Sequence, residues 1–117
     1  MNPNSDSDPV LPKEIVLRRI STVYYSPLDP IPIKPEAFRP TDMDGNGISV
    51  FREQFISSQE IFDSIDIAKR NRFVIARLVV RELQKLKLSV VPDPISALPG
   101  HALVPELNSI DYKSAKT

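Results

Sequence analysis

Cysteine is absent from the 117 residues, which rules out disulfides, thiolate nucleophiles and cysteine-held zinc or iron–sulfur centres and suits a reducing compartment. Glycine is nearly absent too: Gly45, Gly47 and Gly100 are too few to build a phosphate-cradling loop or a dinucleotide turn. Histidine occurs once, at His101, so metal centres that need two imidazoles are excluded. Neither sign of charge dominates, with 15 Lys+Arg against 15 Asp+Glu. A nucleic-acid coat or membrane-surface binder would need a strong excess of one sign. No apolar run approaches the ~20 residues of a membrane span. The first twelve residues have neither a basic n-region nor an apolar core, so no secretory signal is expected and the protein reads as soluble and cytoplasmic.

What is abundant is proline. Twelve of them make roughly twice ordinary usage, while the 41% hydrophobic and 26% charged content is ordinary for a globular chain. Three prolines fall in residues 1–12, five between Pro27 and Pro40 and four between Pro92 and Pro105, with none from Thr41 to Val91. Because proline fixes φ and lacks a donor, regular structure is expected at 13–25 and 41–91. Residues 1–12 read as a disordered arm, 13–107 as a single domain and 108–117 as a flexible tail.

Residues 15–25 (IVLRRISTVYY) are rich in strand formers and predict one strand. After a Gly-Asn-Gly turn, Ile48, Val50 and Arg52 alternate with Ser49 and Phe51, which predicts a second. Ser57 and Glu60 have capping-box spacing, and Ile61, Ile65 and Ala68 form the apolar stripe of a helix ending near Arg70-Asn71. Residues 72–88 fit one helix, but the β-branched content favours a strand at 73–78, a helix at 80–87 and a last strand at 88–91. The expected fold is α+β: a small mixed sheet with two helices packed on one face.

Residues 42–53 satisfy a twelve-residue calcium-loop pattern, with Asp42, Asp44, Asn46 and Glu53 as oxygen donors and glycine at the sixth position. The stretch resembles an EF-hand loop. Pro32, Pro35 and Pro40 forbid the entering helix, the eighth position is Ser49, and there is no second loop to pair with. A tight turn feeding a strand is the preferred reading, with no metal and no cofactor expected.

Other chemistry is sparse. His101, in a Pro-Gly-His-Ala loop, is the candidate general acid/base, with Arg39 or Arg52 as an anion clamp. Ser49, His101 and Asp93 are the right types for a hydrolytic relay, yet no G-x-S-x-G elbow is present and Ser49 lies mid-strand. A simple loop histidine is therefore the preferred reading. Charge is segregated, with six acids against Arg52 in 42–66 and seven bases against Glu82 in 69–87. With Phe73 the lone aromatic among those bases, two mutually attracting halves or a self-associating surface are favoured over a nucleic-acid face. Residues 26–40 form an extended proline-rich segment whose Leu28, Ile31, Ile33 and Phe38 pack along the domain or meet a partner; Arg77 and Arg81 are charged partner-binding candidates.

Arg39-Pro40, Asp44 and Gly47-Ile48-Ser49-Val50, then Asp93-Pro94 and His101-Ala102, resemble a pattern in small bacterial proteins without an assigned activity: R-P-x-x-x-D-x-x-G-[IL]-S-V, followed by D-P and H-A. The likeness spans about residues 13–107. It implies that 42–53 is a turn entering a strand, and that Arg39, Asp44, Ser49 and His101 belong to one recurring pattern.

The leading expectation is an accessory or partner-binding protein without catalytic activity, such as one that neutralises a larger effector, with another protein as partner and room for a homo-oligomer. The alternative is a small hydrolase or transferase acting on a nucleotide or other phosphate-bearing substrate; calcium or nucleic-acid binding ranks below both.

Overall fold

β-branched and aromatic side chains on alternating faces build the centre of the molecule. The computed structural model describes residues 5–28, 33, 35–40, 45–95 and 97–108. Strand β1 (Ile15–Ser21) pairs along its whole length with β3 (Phe73–Val79). On its other side it meets β2 (Ile48–Arg52) only at Val16↔Arg52 and Leu17↔Phe51. Strand β5 (His101–Val104) pairs with β2, and β4 (Val91–Pro92) closes the edge. The order is β3-β1-β2-β5-β4 and each of these pairings is antiparallel. The α+β class is thus observed. Parallel pairing, expected as part of a mixed sheet, is absent among these strands for a topological reason. Strands β2 and β3 point the same way, but β1 lies between them; β5 likewise separates β2 from β4.

Helix α1 (Ser58–Asp63) starts where Ser57 predicts. Glu60 N–H donates to Ser57 Oγ at 3.1 Å and Ser57 N–H to Glu60 Oε1 at 3.2 Å. It stops at Asp63, short of Arg70; after Ser64 the chain re-forms as a 3₁₀ turn over Ile67–Arg72, leaving Ala68 exposed while Ile61 and Ile65 are buried. Helix α2 (Val80–Lys85) follows β3 directly and ends two residues before the expected Lys87, which takes φ 64° and lets Leu88 N–H close back on Leu83 O.

The two helices lie on opposite faces, not together. Ile61 of α1 and Ile56 pack on Leu17, with Phe51 and Ile75 beside them. Val80 and Leu83 of α2 pack on Val16, Val50 and Val104. The strand alternation explains the division, since Leu17 and Phe51 share one face and Val16 and Val50 the other.

Three further expectations are corrected. The first strand ends at Ser21, because Ser21 Oγ accepts from Val23 N–H and starts a 3₁₀ turn over Thr22–Tyr24. The strand expected at 88–91 is reduced to Val91–Pro92, because Glu106 receives both the N–H and Oγ–H of Ser89 (2.9 and 2.6 Å). His101 and Ala102, read as part of a loop, begin strand β5. Gly47 makes that pairing possible: its φ is +126° and a Cβ there would stand 2.5 Å from Val104 O.

Of residues 1–12, expected to be a disordered arm, the described part, 5–12, bonds to and packs on the sheet through Asp6, Asp8, Pro9 and Val10. Arg52 is 1% exposed. Its Nε and Nη2 form a fork onto Glu14 Oε1 and Oε2 at 2.9 and 2.8 Å, and the remaining N–H groups reach the carbonyls of Asp6, Asp8 and Pro9. A buried guanidinium must have all its donors met; polar, proline-interrupted backbone supplies acceptors that a sheet could not. Composition read the arm's lack of apolar side chains, but carbonyls hold it. Val10 also packs on the Val16 cluster.

Candidate functional site

Strand alternation puts Ser49, Phe51 and His101 on the α1 face of the sheet. Phe51 is directly opposite His101 and Ser49 opposite Leu103, so Ser49 and His101 are diagonal neighbours on adjacent strands. His101 Nε2 lies 2.9 Å from Ser49 Oγ. Its Nδ1 lies 2.8 Å from the main-chain oxygen of Asp93 and 3.2 Å from Asp93 Oδ2. The three residues that sequence could name but not connect are therefore brought together.

The chemistry of the partners assigns the protons. A carbonyl oxygen only accepts, so Nδ1 carries the hydrogen and the neutral ring presents a bare Nε2. Ser49 Oγ–H then donates to Nε2. Nucleophile type, base and orienting acid stand in the relation of a serine relay, with Asp93 acting mainly through its backbone and more weakly through a half-exposed carboxylate. Phe51 meets the imidazole edge-on, with centroids 5.3 Å apart and planes at 65°. This contact and the Asp93 carbonyl leave the ring little freedom.

Ser49 is also held from behind. Strand β1 leaves β2 after Leu17, and Arg18 enters the opening, where its Nη1 donates to Ser49 O at 2.9 Å and its Nε to Ala37 O at 3.1 Å. The guanidinium replaces the missing ladder bond and fixes the serine backbone.

Ser49 and His101 line a cavity of about 380 Å³. Ile61 of α1, Ile95 and Leu98 are apolar residues of its lining, which also includes Arg19 and Phe73, the guanidinium 4.9 Å from the ring centroid. Arg19 is exposed and is the second arginine of the lining, beside Arg18 with its two carbonyl partners.

The proposed clamps fare differently. Arg52 cannot meet a ligand, since its five N–H groups all have protein acceptors. Arg39 lines a separate cavity of about 160 Å³ with Arg18, Arg19, Ser21 and Tyr24. It does not share a cavity with His101. His101 is buried on a strand rather than presented by a loop. Arg18, Arg19 and Phe73 escaped attention as site residues because an RR pair in a strand and a phenylalanine carry no local signal; their role depends on where β1 parts from β2.

Of the calcium-pattern residues, Asp42 and Asp44 lie outside the described residues, and Asn46 is exposed. Both oxygens of Glu53 face Arg77, at 2.8 and 3.0 Å from its Nε and Nη2. The Arg77 guanidinium holds the Glu53 carboxyl below its ordinary range. Among the described residues no three metal-ligating side chains converge. Of the partner candidates, Leu28 is 97% exposed, Ile33 and Phe38 pack beside Ile20 and Ala76, Arg77 is paired, and Arg81 is exposed; Ile31 lies outside the described residues. No helix among the described residues is long and apolar enough to cross a membrane.

Comparison with protein-family models, with curated proteins and with solved structures gives no match for this chain. The site is therefore read from its own geometry.

Proposed function

We propose that the protein is a small hydrolase or transferase acting on a phosphate-bearing substrate through Ser49. The observation that carries this reading is the 2.9 Å contact between Ser49 Oγ and His101 Nε2 in a cavity that also holds Arg19. In the step, Ser49 Oγ bonds to phosphorus while its proton passes to Nε2. The bond from phosphorus to the leaving oxygen breaks, and that oxygen takes the proton from Nε2. A water molecule, or an acceptor hydroxyl in a transferase, then attacks the phosphoserine, losing its proton to Nε2; Ser49 Oγ recovers it. Arg19 offsets charge on the phosphoryl oxygens, a task that suits a guanidinium. A cysteine-free chain suits work in the cytoplasm.

The test is turnover of 4-nitrophenyl phosphate and a set of nucleotides. Ser49→Ala and His101→Ala are each expected to lower it by about 10²–10⁴-fold while circular dichroism stays unchanged, and mass spectrometry should find a phosphoryl group on Ser49. Equal rates in folded variants would overturn the reading.

A specific feature favours the accessory-protein reading as the second choice. Beside α2, Phe38, Leu78, Leu83, Leu86 and Leu107 line an apolar groove of about 400 Å³, and Leu86 is 70% exposed. Such a groove fits an apolar side chain of another protein. Co-purification from the native host that is lost in Leu86→Asp would support it; no associated protein, together with turnover by the solitary chain, would oppose it.

A further inference from the structure

The connection from β4 to β5 begins at Asp93 and ends at Gly100, and both ends bear on His101. At its start, Asp93 N–H donates to His101 O at 3.0 Å, and Asp93 O faces His101 Nδ1 at 2.8 Å. At its end, the Gly100 carbonyl accepts from Arg52 N–H at 2.8 Å. The Gly100 N–H donates to Asp6 Oδ2 at 3.1 Å, across 94 positions of sequence. Gly100 is buried, and its φ of +80° is one that only glycine adopts without strain. A buried N–H needs an acceptor, and the arm supplies it. A turn of the arm sets Asp6 for this: Ser5 N–H donates to Asp8 Oδ2 and Asp8 N–H to Ser5 O, both at 3.0 Å. The Asp6 carbonyl serves the Arg52 guanidinium, while its carboxylate serves the residue that precedes His101.

We infer that Asp6 is a positioning residue for the Ser49–His101 pair. By holding the Gly100 N–H it fixes the end of the β4–β5 connection. That keeps the Asp93 carbonyl on Nδ1 and leaves Nε2 bare toward Ser49. A glycine released from such a bond turns freely, and the connection loosens with it. Once the Asp93 carbonyl leaves Nδ1, the ring hydrogen can sit on Nε2 instead. Nε2 then donates to Ser49 Oγ and cannot take its proton. Leu98, two residues before Gly100, lines the same cavity as the pair, so the arm steadies part of its apolar lining too. The inference rests on the proposed reading for the reaction the pair performs, whereas the state of the ring is measured without turnover.

The test uses the full chain carrying Asp6→Ala or Asp6→Asn. Both variants keep the main-chain carbonyls that Arg52 needs, and asparagine retains a side-chain oxygen for the Gly100 N–H. Nitrogen-15 NMR of the His101 ring is recorded in alkaline buffer, where the imidazole is neutral. The hydrogen is expected on Nδ1 in the unmodified chain and in Asp6→Asn, with a mixture including Nε2–H in Asp6→Ala; urea melts check that each variant is folded. Turnover of 4-nitrophenyl phosphate should fall about tenfold in Asp6→Ala, the worth of one charge-assisted hydrogen bond, and Asp6→Asn should recover most of it. A hydrogen on Nε2 in the unmodified chain, a folded Asp6→Ala with the ring unchanged, or Asp6→Asn behaving like Asp6→Ala would overturn the inference. So would a Gly100 amide that exchanges with solvent as fast as an exposed loop amide in the unmodified chain, a measurement that needs no variant. A ring that responds to Asp6 in a protein that turns over no phosphate ester would sustain it and sink the serine-nucleophile reading instead.

Discussion

Arg52 and His101 are the two buried polar side chains of the described core, and they are buried for opposite ends. Arg52 faces the arm, and its five donors are matched by Glu14 and three main-chain carbonyls. His101 has one nitrogen on the Asp93 carbonyl and the other on a serine hydroxyl that borders a cavity. A saturated buried group holds chain segments together and can do nothing else. One that hands its remaining capacity to an accessible hydroxyl can act on a ligand. Sequence ranked both residues as site candidates; the difference lies in what each still has to offer.

The comparison breaks most visibly at Arg52. Arg52→Ala leaves the Glu14 carboxylate buried without its partner, and urea unfolding is expected to show a loss of about 3–5 kcal/mol. The arm should become sensitive to protease in any fraction that still folds. His101→Ala removes hydrogen bonds between neutral groups, so the expected loss is about 1–2 kcal/mol with the fold kept. A larger stability loss at His101 than at Arg52 would reverse the assignment of roles.

Gly47→Ala tests the strand pairing that brings Ser49 and His101 together. A Cβ 2.5 Å from Val104 O at φ +126° must displace β5, and the expected cost is about 2–4 kcal/mol. The Ser49–His101 contact should be lost with it, seen as a shift of the His101 ring resonances by NMR.

Acid sharpens the contrast further. Burial pushes the Glu14 carboxyl upward, but the Arg52 fork, Leu11 N–H and Gln54 outweigh it and leave the value below the ordinary 4.5. A carboxyl depressed in the folded state stabilises fully above its unfolded value, and that contribution fades as pH falls through the folded value. Stability should therefore decline below about pH 4.5, and Glu14→Gln should flatten that decline in a series of urea melts. A slope unchanged by Glu14→Gln would place the acid sensitivity elsewhere, for instance at Glu106, whose carboxyl is held low by Ser89 against the effect of its burial.

The smallest effect is expected at Glu53 and Arg77. Their fork has the same donor geometry as the Arg52–Glu14 pair, but it stands in solvent. Arg77→Gln should leave the melting temperature within experimental scatter. A clear drop would mean that geometry, rather than burial, governs the strength of these pairs.

Local signals were legible. The alternation of Ile48, Val50 and Arg52, the capping box of Ser57 and Glu60, and the strand-then-helix reading of 73–87 each depend on residues within a few positions of one another, and each is present in the structure, the helix stopping at Lys85. Features built across long separations were not. Strand β5 was missed because Pro99-Gly100 reads as loop; pairing with β2 gives His101 its place. The Ser49–His101 contact spans 52 positions and the Arg52–Glu14 fork spans 38. No periodicity in a single chain encodes such distances. The arm illustrates the limit from the other side, since its backbone carbonyls carry no trace in composition.

By itself, the sequence determined the chemistry available to this protein. It has no thiols, one imidazole, too few glycines for a phosphate loop, and prolines that deny residues 42–53 an entering helix. Tertiary structure decided which of its polar residues are spent on holding chain segments together and which border a cavity. It did so through the departure of β1 from β2 after Leu17, which opens a gap for Arg18, and through the pairing of β2 with β5, which sets a serine hydroxyl against the bare nitrogen of His101. Composition specifies which groups exist; the ladder of hydrogen bonds, and the place where it stops, specifies which of them meet.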